Sequence, residues 1–397
     1  VMGESLRTDR YVPVFIRLVE EDEALPAKIR NIGGTGKKIS KKLYTARISI
    51  DAIRYISNWT SVVYIEAGKR VRPLLDRSRS SVSADNVQAG IGLPSRYKGQ
   101  GTYVGIVDTG LSSGHLDFYT SGNPTLSRVA QWYPNPSTAG IDSLWHGTHV
   151  AGIAAGNGYS SGELYTGMAP EAGLLIAQSS FDTTRIPSEI DSLLSAAGTS
   201  PVAINLSLGL MLGPHDGTSL FEEAIENRAS AQGTKRLFAV AAGNEFIYQE
   251  HFLADISHFG TATATLTMFN TLEYYVDIWA DGSDQYTVTA IRASESLTAL
   301  SGTSTSTPSG TINIFNRTDS PINGATHIIV FFSVPPANMN ASIRFERIRN
   351  GGTGRLDAYI EHSDGRFIND NTNGIIIEPA NAASVLAVGS YDTKTSG

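Results

Sequence analysis

The chain has 397 residues, long enough for two or three domains with sizeable cores. Its formal net charge of −7 argues against nucleic acid as a partner, since nucleic-acid-binding proteins present basic surfaces. No apolar run reaches the length of a membrane span. Cysteine is absent, which excludes disulfides and thiol chemistry and permits an oxidising compartment without requiring one. The start of the chain shows no intact signal peptide.

The first unit, residues 1–82, is predicted to be a small α+β domain that ends in a linker. Apolar patterning predicts strands over 11–18 and 61–66, and helices over 22–32 and 49–58. Residues 71–83 are rich in arginine and serine and lack periodicity, which indicates an exposed linker.

Residues 104–110 (VGIVDTG) predict a buried parallel strand that delivers Asp108 at its carboxyl end. Open α/β sheets place their active sites at that edge. The alternative is that Asp108 only caps the following turn, which is a common role of aspartate.

Residues 144–152 (LWHGTHVAG) predict the start of a helix over 146–155, with His146 in its first turn. Gly147, Ala151 and Gly152 lack bulk, so the helix can pack closely against neighbouring backbone and hold His146 rigidly, as a general base requires. A histidine beside glycines can also be a capping or packing residue, so this motif needs the support of others.

The residues that follow alternate apolar strands with helices. Continuous apolar runs predict strands buried on both faces, and a Ser219-x-x-Glu222 capping box opens one of the helices. The strands are expected over 174–177, 202–206 and 237–241, and the helices over 187–197 and 219–231. This order predicts an α/β fold with a doubly wound, mostly parallel sheet.

The pattern changes after Asn244. Short alternating runs separated by turn residues predict strands over 263–269, 274–280, 286–293, 311–315, 327–334, 341–347 and 356–361. We therefore expect an all-β, jelly-roll-like sandwich at about 260–370, inserted into the α/β domain.

The Asp108 and His146 motifs, with residues 238–245 (FAVAAGNE), resemble those of the subtilisin-like serine proteases. The resemblance implies that His146 is the general base, that Asp108 orients it, and that Asn244 donates to the oxyanion hole. For Asn244 the alternative is a plain Gly-Asn turn after a strand.

The same resemblance implies that Ser207, Leu208 and Gly209 bind extended polypeptide substrate. It further implies that residues 1–82 are a propeptide that covers the cleft, with an unrelated N-terminal module as the alternative. Residues 83–259 would be the first part of the catalytic domain and 371–397 its continuation. Asp117 stands where some relatives bind calcium, but the loop over 157–163 departs from their pattern, so no cofactor is expected and calcium stays unassigned.

The family's nucleophile opens a buried helix in a Gly-Thr-Ser motif. Residues 302–308 (GTSTSTP) imitate that motif, but Ser304 is rejected because the following residues alternate as a strand. Residues 377–390 resemble the strand that precedes the nucleophile helix, so the serine is expected after Gly397, in a C-terminal remainder of the protease.

Two functions follow from these observations. The first is an extracellular or periplasmic serine endopeptidase, seen as a zymogen-like fragment that is inactive by itself. The second is a catalytically silent subtilisin-like binding or regulatory protein. Asp108, His146 and Asn244 favour the first, since a binding protein needs none of the three.

Overall fold

The computed structural model of the protein describes residues 11–67, 78–120, 123, 125–134, 141–231, 235–245, 248–269, 274–333, 339–361, 365–369 and 375–390. The chain divides into two compact units, Val1–Leu74 and Leu75–Gly397. The predicted linker lies partly outside the described residues, and its last part is not a loop, because Ser78–Ser81 form a short helix.

The first unit has the element order β1 (Val12–Leu18), α1 (Leu25–Asn31), β2 (Thr35–Ser40), β3 (Leu43–Ile48), α2 (Ile50–Ile56) and β4 (Val62–Ala67). Its antiparallel sheet has the order β2-β3-β1-β4 and encloses its own apolar core. The β-α-β-β-α-β order is that of a split βαβ domain. The predicted α+β unit is therefore present. The sequence indicates a strand, helix, strand, helix, strand order, and the structure has two strands, the β2-β3 hairpin, where that order has one between the helices.

The second unit begins with α3 (Ser78–Ser81) and α4 (Ala84–Ala89), followed by β5 (Tyr103–Asp108), β6 (Val129–Tyr133), α5 (His146–Ala155) and β7 (Gly173–Gln178). It continues with α6 (Ile186–Ala197), β8 (Val202–Leu206), α7 (Leu220–Ala229) and β9 (Arg236–Ala241). The predicted capping box at Ser219 and Glu222 opens α7. Each predicted helix and strand of this part lies within two residues of the observed one at each end.

A sandwich of two antiparallel sheets follows β9. Its strands are β10 (His251–Asp255), β11 (Thr261–Met268), β12 (Tyr274–Ala280), β13 (Gln285–Arg292), β14 (Glu295–Ala299), β15 (Ser304–Ser306), β16 (Ile312–Arg317), β17 (Thr326–Phe332), β18 (Met339–Arg349), β19 (Arg355–Tyr359) and β20 (Gly365–Phe367). The sheet orders are β10-β19-β12-β17-β16-β15 and β14-β13-β18-β11-β20, around one apolar core. The sandwich strands thus span residues 251–367, against the predicted 260–370.

After the sandwich the chain returns as β21 (Leu386–Val388), which pairs in parallel with β9. Within the described residues, the parallel sheet has the order β21-β9-β8-β5-β7-β6. Helices α6 and α7 pack on one face, and α5 packs on the other. This is the predicted doubly wound α/β fold, and its carboxyl edge carries the candidate site. Among the described residues, no helix is both long and apolar enough to span a bilayer.

Candidate active site

Asp108 is the last residue of β5, a strand in the interior of the parallel sheet. Its side chain is 1% exposed, and its Oδ1 accepts a hydrogen bond of 2.7 Å from the backbone N–H of Thr109. The neighbouring strand β8 ends at the same level, since Val107 pairs with Leu206. The sheet therefore presents Asp108 beside the start of the segment Ser207 to Gly209.

His146 is the first residue of α5, and its Nδ1 lies 2.7 Å from Asp108 Oδ1. Because the carboxylate oxygen accepts, Nδ1 carries the hydrogen, and Nε2 is left to accept a proton. The His146 side chain is 53% exposed, so the ring is open to solvent on the side away from Asp108. The predicted hydrogen-bonded pair is present, and a buried carboxylate fixes the tautomer that a general base needs.

Gly147 shows why this helix can start so close to β5. A Cβ on Gly147 would lie 2.2 Å from the backbone oxygen of Gly110, which no side chain could tolerate. Gly152 is different, because a Cβ there would meet nothing within 4 Å. The predicted need for small residues is therefore right for Gly147 and wrong for Gly152.

Asp142 was missed by the sequence reasoning, although it organises the start of α5. Its carboxylate, in a residue 6% exposed, accepts from the hydroxyls of Thr109 (2.8 Å) and Thr148 (2.6 Å) and from the N–H groups of Thr148 (2.8 Å) and Trp145 (2.9 Å). The Thr109 hydroxyl also accepts from the N–H of Gly147. The available signal was an aspartate just before a helix start, a position where carboxylates satisfy unpaired N–H groups.

The charge state of Asp142 follows from these bonds. Burial by itself would raise the pKa of Asp142, but the hydrogen bonds from Thr148, Thr109 and Trp145 outweigh burial and lower the pKa. The carboxylate is therefore ionised at neutral pH, and its negative charge lies at the positive end of the α5 dipole.

The predicted substrate-binding residues Ser207, Leu208 and Gly209 directly follow β8. Leu210 then forms a two-way backbone bridge with Glu378, with hydrogen bonds of 3.0 and 3.1 Å. A Cβ on Gly209 would lie 2.7 Å from the backbone oxygen of Glu378, so only glycine allows this approach. The segment thus connects β8 to this bridge at the carboxyl edge of the sheet.

Asn244 follows β9, the strand beside β8, and its side chain is exposed at the carboxyl edge. Gly243 precedes it with φ +113°, a backbone conformation that favours glycine, and this turns the chain out of the sheet. The backbone N–H of Asn244 donates to the carboxylate of Glu245.

Ser304 lies in β15, a three-residue strand at the edge of the sandwich, where it pairs with Phe315 of β16. The small and polar residues at 301–307 predict an exposed connection between strands at Ser304. This prediction is wrong, because Ser304 to Ser306 pair with β16. The expectation that no helix begins there was correct. Ser304 is exposed in an antiparallel sheet, so it does not have the helical setting that the family's nucleophile requires.

The oxygens of Asp117 accept hydrogen bonds from groups of the chain itself. Asp117 Oδ1 accepts from the N–H of Ser160 at 2.7 Å, while its backbone oxygen accepts from Arg128 Nη2 at 2.6 Å. The Arg128 guanidinium also donates to the backbone oxygens of Ala155 (2.6 Å) and Ala172 (2.8 Å). The guanidinium of Arg128 therefore supplies a positive charge beside these three backbone oxygens. Among the described residues there is no group of three or more metal-ligating acidic or histidine side chains.

A parallel sheet covered by helices on both faces, with a buried aspartate paired to a histidine at its carboxyl edge, defines an α/β protein of subtilisin-like fold. The chain belongs to the subtilase family, because residues 99–311, more than half of the chain, match the model of that family. Subtilases are a family of serine proteases.

Individual relatives agree with this assignment. Alkaline protease 1 of Aspergillus flavus is 30% identical over 231 residues, which cover 53% of this chain and 50% of the relative. Subtilisin E of Bacillus subtilis is 28% identical over 250 residues, which cover 61% of each. The chain thus spans about half to three fifths of the length of these curated relatives. The solved structure of the CspB protease of Clostridium perfringens shares the fold, with a TM-score of 0.68, 21% identity and coverage of 80% of this chain and 75% of that one.

Proposed function

We propose that the protein is a serine endopeptidase of the subtilisin type, in which Asp108 and His146 are two members of an Asp/His/Ser triad. The observation that carries the proposal is the 2.7 Å hydrogen bond between Asp108 Oδ1 and His146 Nδ1. It joins a buried acceptor to a ring that remains half exposed, which suits a base that must reach a substrate.

In this mechanism His146 Nε2 takes the proton of a serine hydroxyl while the serine oxygen forms a bond to the peptide carbonyl carbon. Asp108 stabilises the resulting imidazolium, and the Asn244 side-chain amide donates to the carbonyl oxygen as it becomes negative. The imidazolium then gives its proton to the leaving amine as the carbon–nitrogen bond breaks. Water, activated by the same base, releases the acyl group from the serine.

We further propose that the nucleophile follows β21 in the chain, beyond Gly397. The parallel pairing of β21 with β9 supports this, because the family's nucleophile helix comes after that strand. Substrate would pair with Ser207, Leu208 and Gly209 as an added strand. The propeptide role of residues 1–82, a zymogen-like state, and an extracellular or periplasmic location are parts of the same proposal.

The test uses the complete protein with a fluorogenic peptide and with a fluorophosphonate that labels activated serines. Asp108→Asn should lower kcat roughly 10⁴-fold, and His146→Ala by several orders of magnitude. Ser304→Ala is the matched control and should leave both hydrolysis and labelling unchanged. A catalytically silent binding protein would give neither hydrolysis nor labelling, and loss of activity on Ser304→Ala with folding intact would place the nucleophile in β15.

A further inference from the structure

The segment that follows the substrate-binding residues is held by the sandwich. We name residues 210–215 the exit loop. The backbone N–H of Met211 donates to Glu361 Oε1 at 3.0 Å, and that of Gly213 donates to Asp277 Oδ2 at 2.8 Å. Both carboxylates belong to the sandwich, so two backbone N–H groups of the exit loop donate to side chains of the sandwich.

His215 closes the exit loop. Its Nε2 lies 2.6 Å from the backbone oxygen of Met211, and its Nδ1 lies 2.7 Å from that of Ile376. Both ring nitrogens therefore lie within hydrogen-bond distance of a backbone carbonyl oxygen. The ring also stacks on Tyr359 of β19, with ring centroids 4.1 Å apart and an interplanar angle of 27°. His215 thus contacts the exit loop at Met211, the segment before β21 at Ile376, and the sandwich at Tyr359.

Asp277 is a rigid anchor for this loop. Its residue is 6% exposed, and its carboxylate also accepts from His327 Nε2 at 2.7 Å and from Trp279 Nε1 at 2.9 Å. With three donors on two oxygens, the carboxylate has no room to swing away from Gly213. An apolar cluster that includes Met211, Trp279, Tyr359 and Ile377 fills the space beside it.

We propose that the sandwich is a positioning platform for the substrate-binding edge, with Asp277, Glu361 and His215 as positioning residues. The proposal rests on the proposed function, in which Ser207, Leu208 and Gly209 pair with substrate. A peptide that adds as a strand binds more tightly to an edge that is already extended, because no ordering has to accompany binding. The bonds to Met211 and Gly213 fix the chain two to four residues beyond that edge.

The experiment compares Asp277→Asn with the unchanged complete protein in two assays. An NH₂ group in place of Oδ2 deprives both Gly213 and Trp279 of their acceptor, and in place of Oδ1 it deprives His327, while side-chain volume is kept. We expect backbone amide exchange in the exit loop to become about tenfold faster, as loss of a charge-assisted hydrogen bond allows. With the fluorogenic peptide, KM should rise several-fold while kcat changes by less than about twofold, because binding and not chemistry is affected.

Asp284→Asn is the matched control. Asp284 is also a fully buried carboxylate of the sandwich, but it accepts from Arg347 and from the N–H groups of Gly351, Gly352 and Gly354, far along the chain from the exit loop. This variant should lower the unfolding temperature and leave exit-loop exchange and KM unchanged. His215→Phe, which keeps a ring on Tyr359 but removes both ring nitrogens, should behave like Asp277→Asn.

Unchanged exchange and KM in Asp277→Asn would overturn the proposal. Equal effects of Asp284→Asn would also overturn it, because general loosening of the sandwich would then be the cause. If the unchanged protein hydrolyses no peptide, the proposed function fails, whereas the exchange comparison still decides whether the sandwich positions the loop.

Discussion

Removing the Asp142 carboxylate should destabilise the start of the helix that carries His146. Asp142→Ala leaves the hydroxyls of Thr109 and Thr148 and the N–H groups of Thr148 and Trp145 without their acceptor. An orphaned buried donor costs about 1–3 kcal/mol, but water can enter the vacated space and the costs are not additive. We therefore expect the free energy of unfolding to fall by about 3–5 kcal/mol.

A backbone constraint adds to this cost. Trp145 has φ +61°, a left-handed conformation that is uncommon for a large side chain, and its side chain is 63% exposed. The strained conformation persists because its N–H is held by Asp142. Without that bond the residue before His146 can relax, which would move the imidazole relative to Asp108.

Denaturant unfolding of Asp142→Ala measures the effect, with Asp182→Ala as the control. Asp182 is an exposed aspartate whose carboxylate accepts from Thr184, so its removal should cost less than about 0.5 kcal/mol. The pH dependence has a defined sign. The pKa of Asp142 is lowered on folding, so its contribution is complete above the unfolded pKa of about 3.9 and is lost as pH falls through the folded value. Equal losses in the two variants would refute the role assigned to Asp142.

Three further predictions concern single residues. Gly147→Ala should destabilise the protein by about 3 kcal/mol or more because its Cβ would meet the Gly110 oxygen, whereas Gly152→Ala should be neutral or stabilising by up to about 1 kcal/mol in thermal unfolding. Burial and the neighbouring Glu222 raise the pKa of Glu378 to about 8, so Glu378→Gln should gain stability relative to the unchanged protein as pH rises from about 5 to 8; a constant difference would contradict this. Arg128→Met should lower the free energy of unfolding by about 2–4 kcal/mol, whereas the same change at the exposed Arg54 should lower it by less than about 0.5 kcal/mol. A chelator should leave the unfolding temperature of the unchanged protein the same.

The central strands of the parallel sheet were predictable because their signals are local, whereas the edge strand β6 was missed. A strand buried on both faces needs a continuous apolar run, and β5, β7 and β8 each have one, so their limits followed from the sequence to within a residue. The hydrogen bond between Asp108 and His146 was predictable because each residue lies in its own recognisable sequence motif. Strands at sheet edges were harder, because one side meets solvent. Thus β2, whose residues are largely exposed and include two lysines, lacks the apolar alternation that marks a strand.

Contacts between distant parts of the chain could not be predicted. Asp142 is an ordinary polar residue in the sequence, and its importance comes only from the burial that brings Thr109 beside it. Gly147 and Gly152 look alike in the sequence and differ only in what faces them. Strand β10 was missed for a related reason: His251 is a polar residue in the sequence but is 3% exposed in the structure, where it pairs with Asp357 of β19.

Ser304 shows what separates a motif from an imitation of it. The seven residues from Gly302 onward match the expected order of small residues and proline, so composition alone cannot reject them. The deciding signal comes after Pro308, where β16 alternates buried and less buried residues with a period of two, and where Ile312 and Ile314 enter the sandwich core. A nucleophile helix requires an apolar face with a period of 3.6 instead. The spacing of apolar residues after the serine therefore determines whether a strand or a helix forms there. Only a helix in that place would present the serine to a base as the family's mechanism requires.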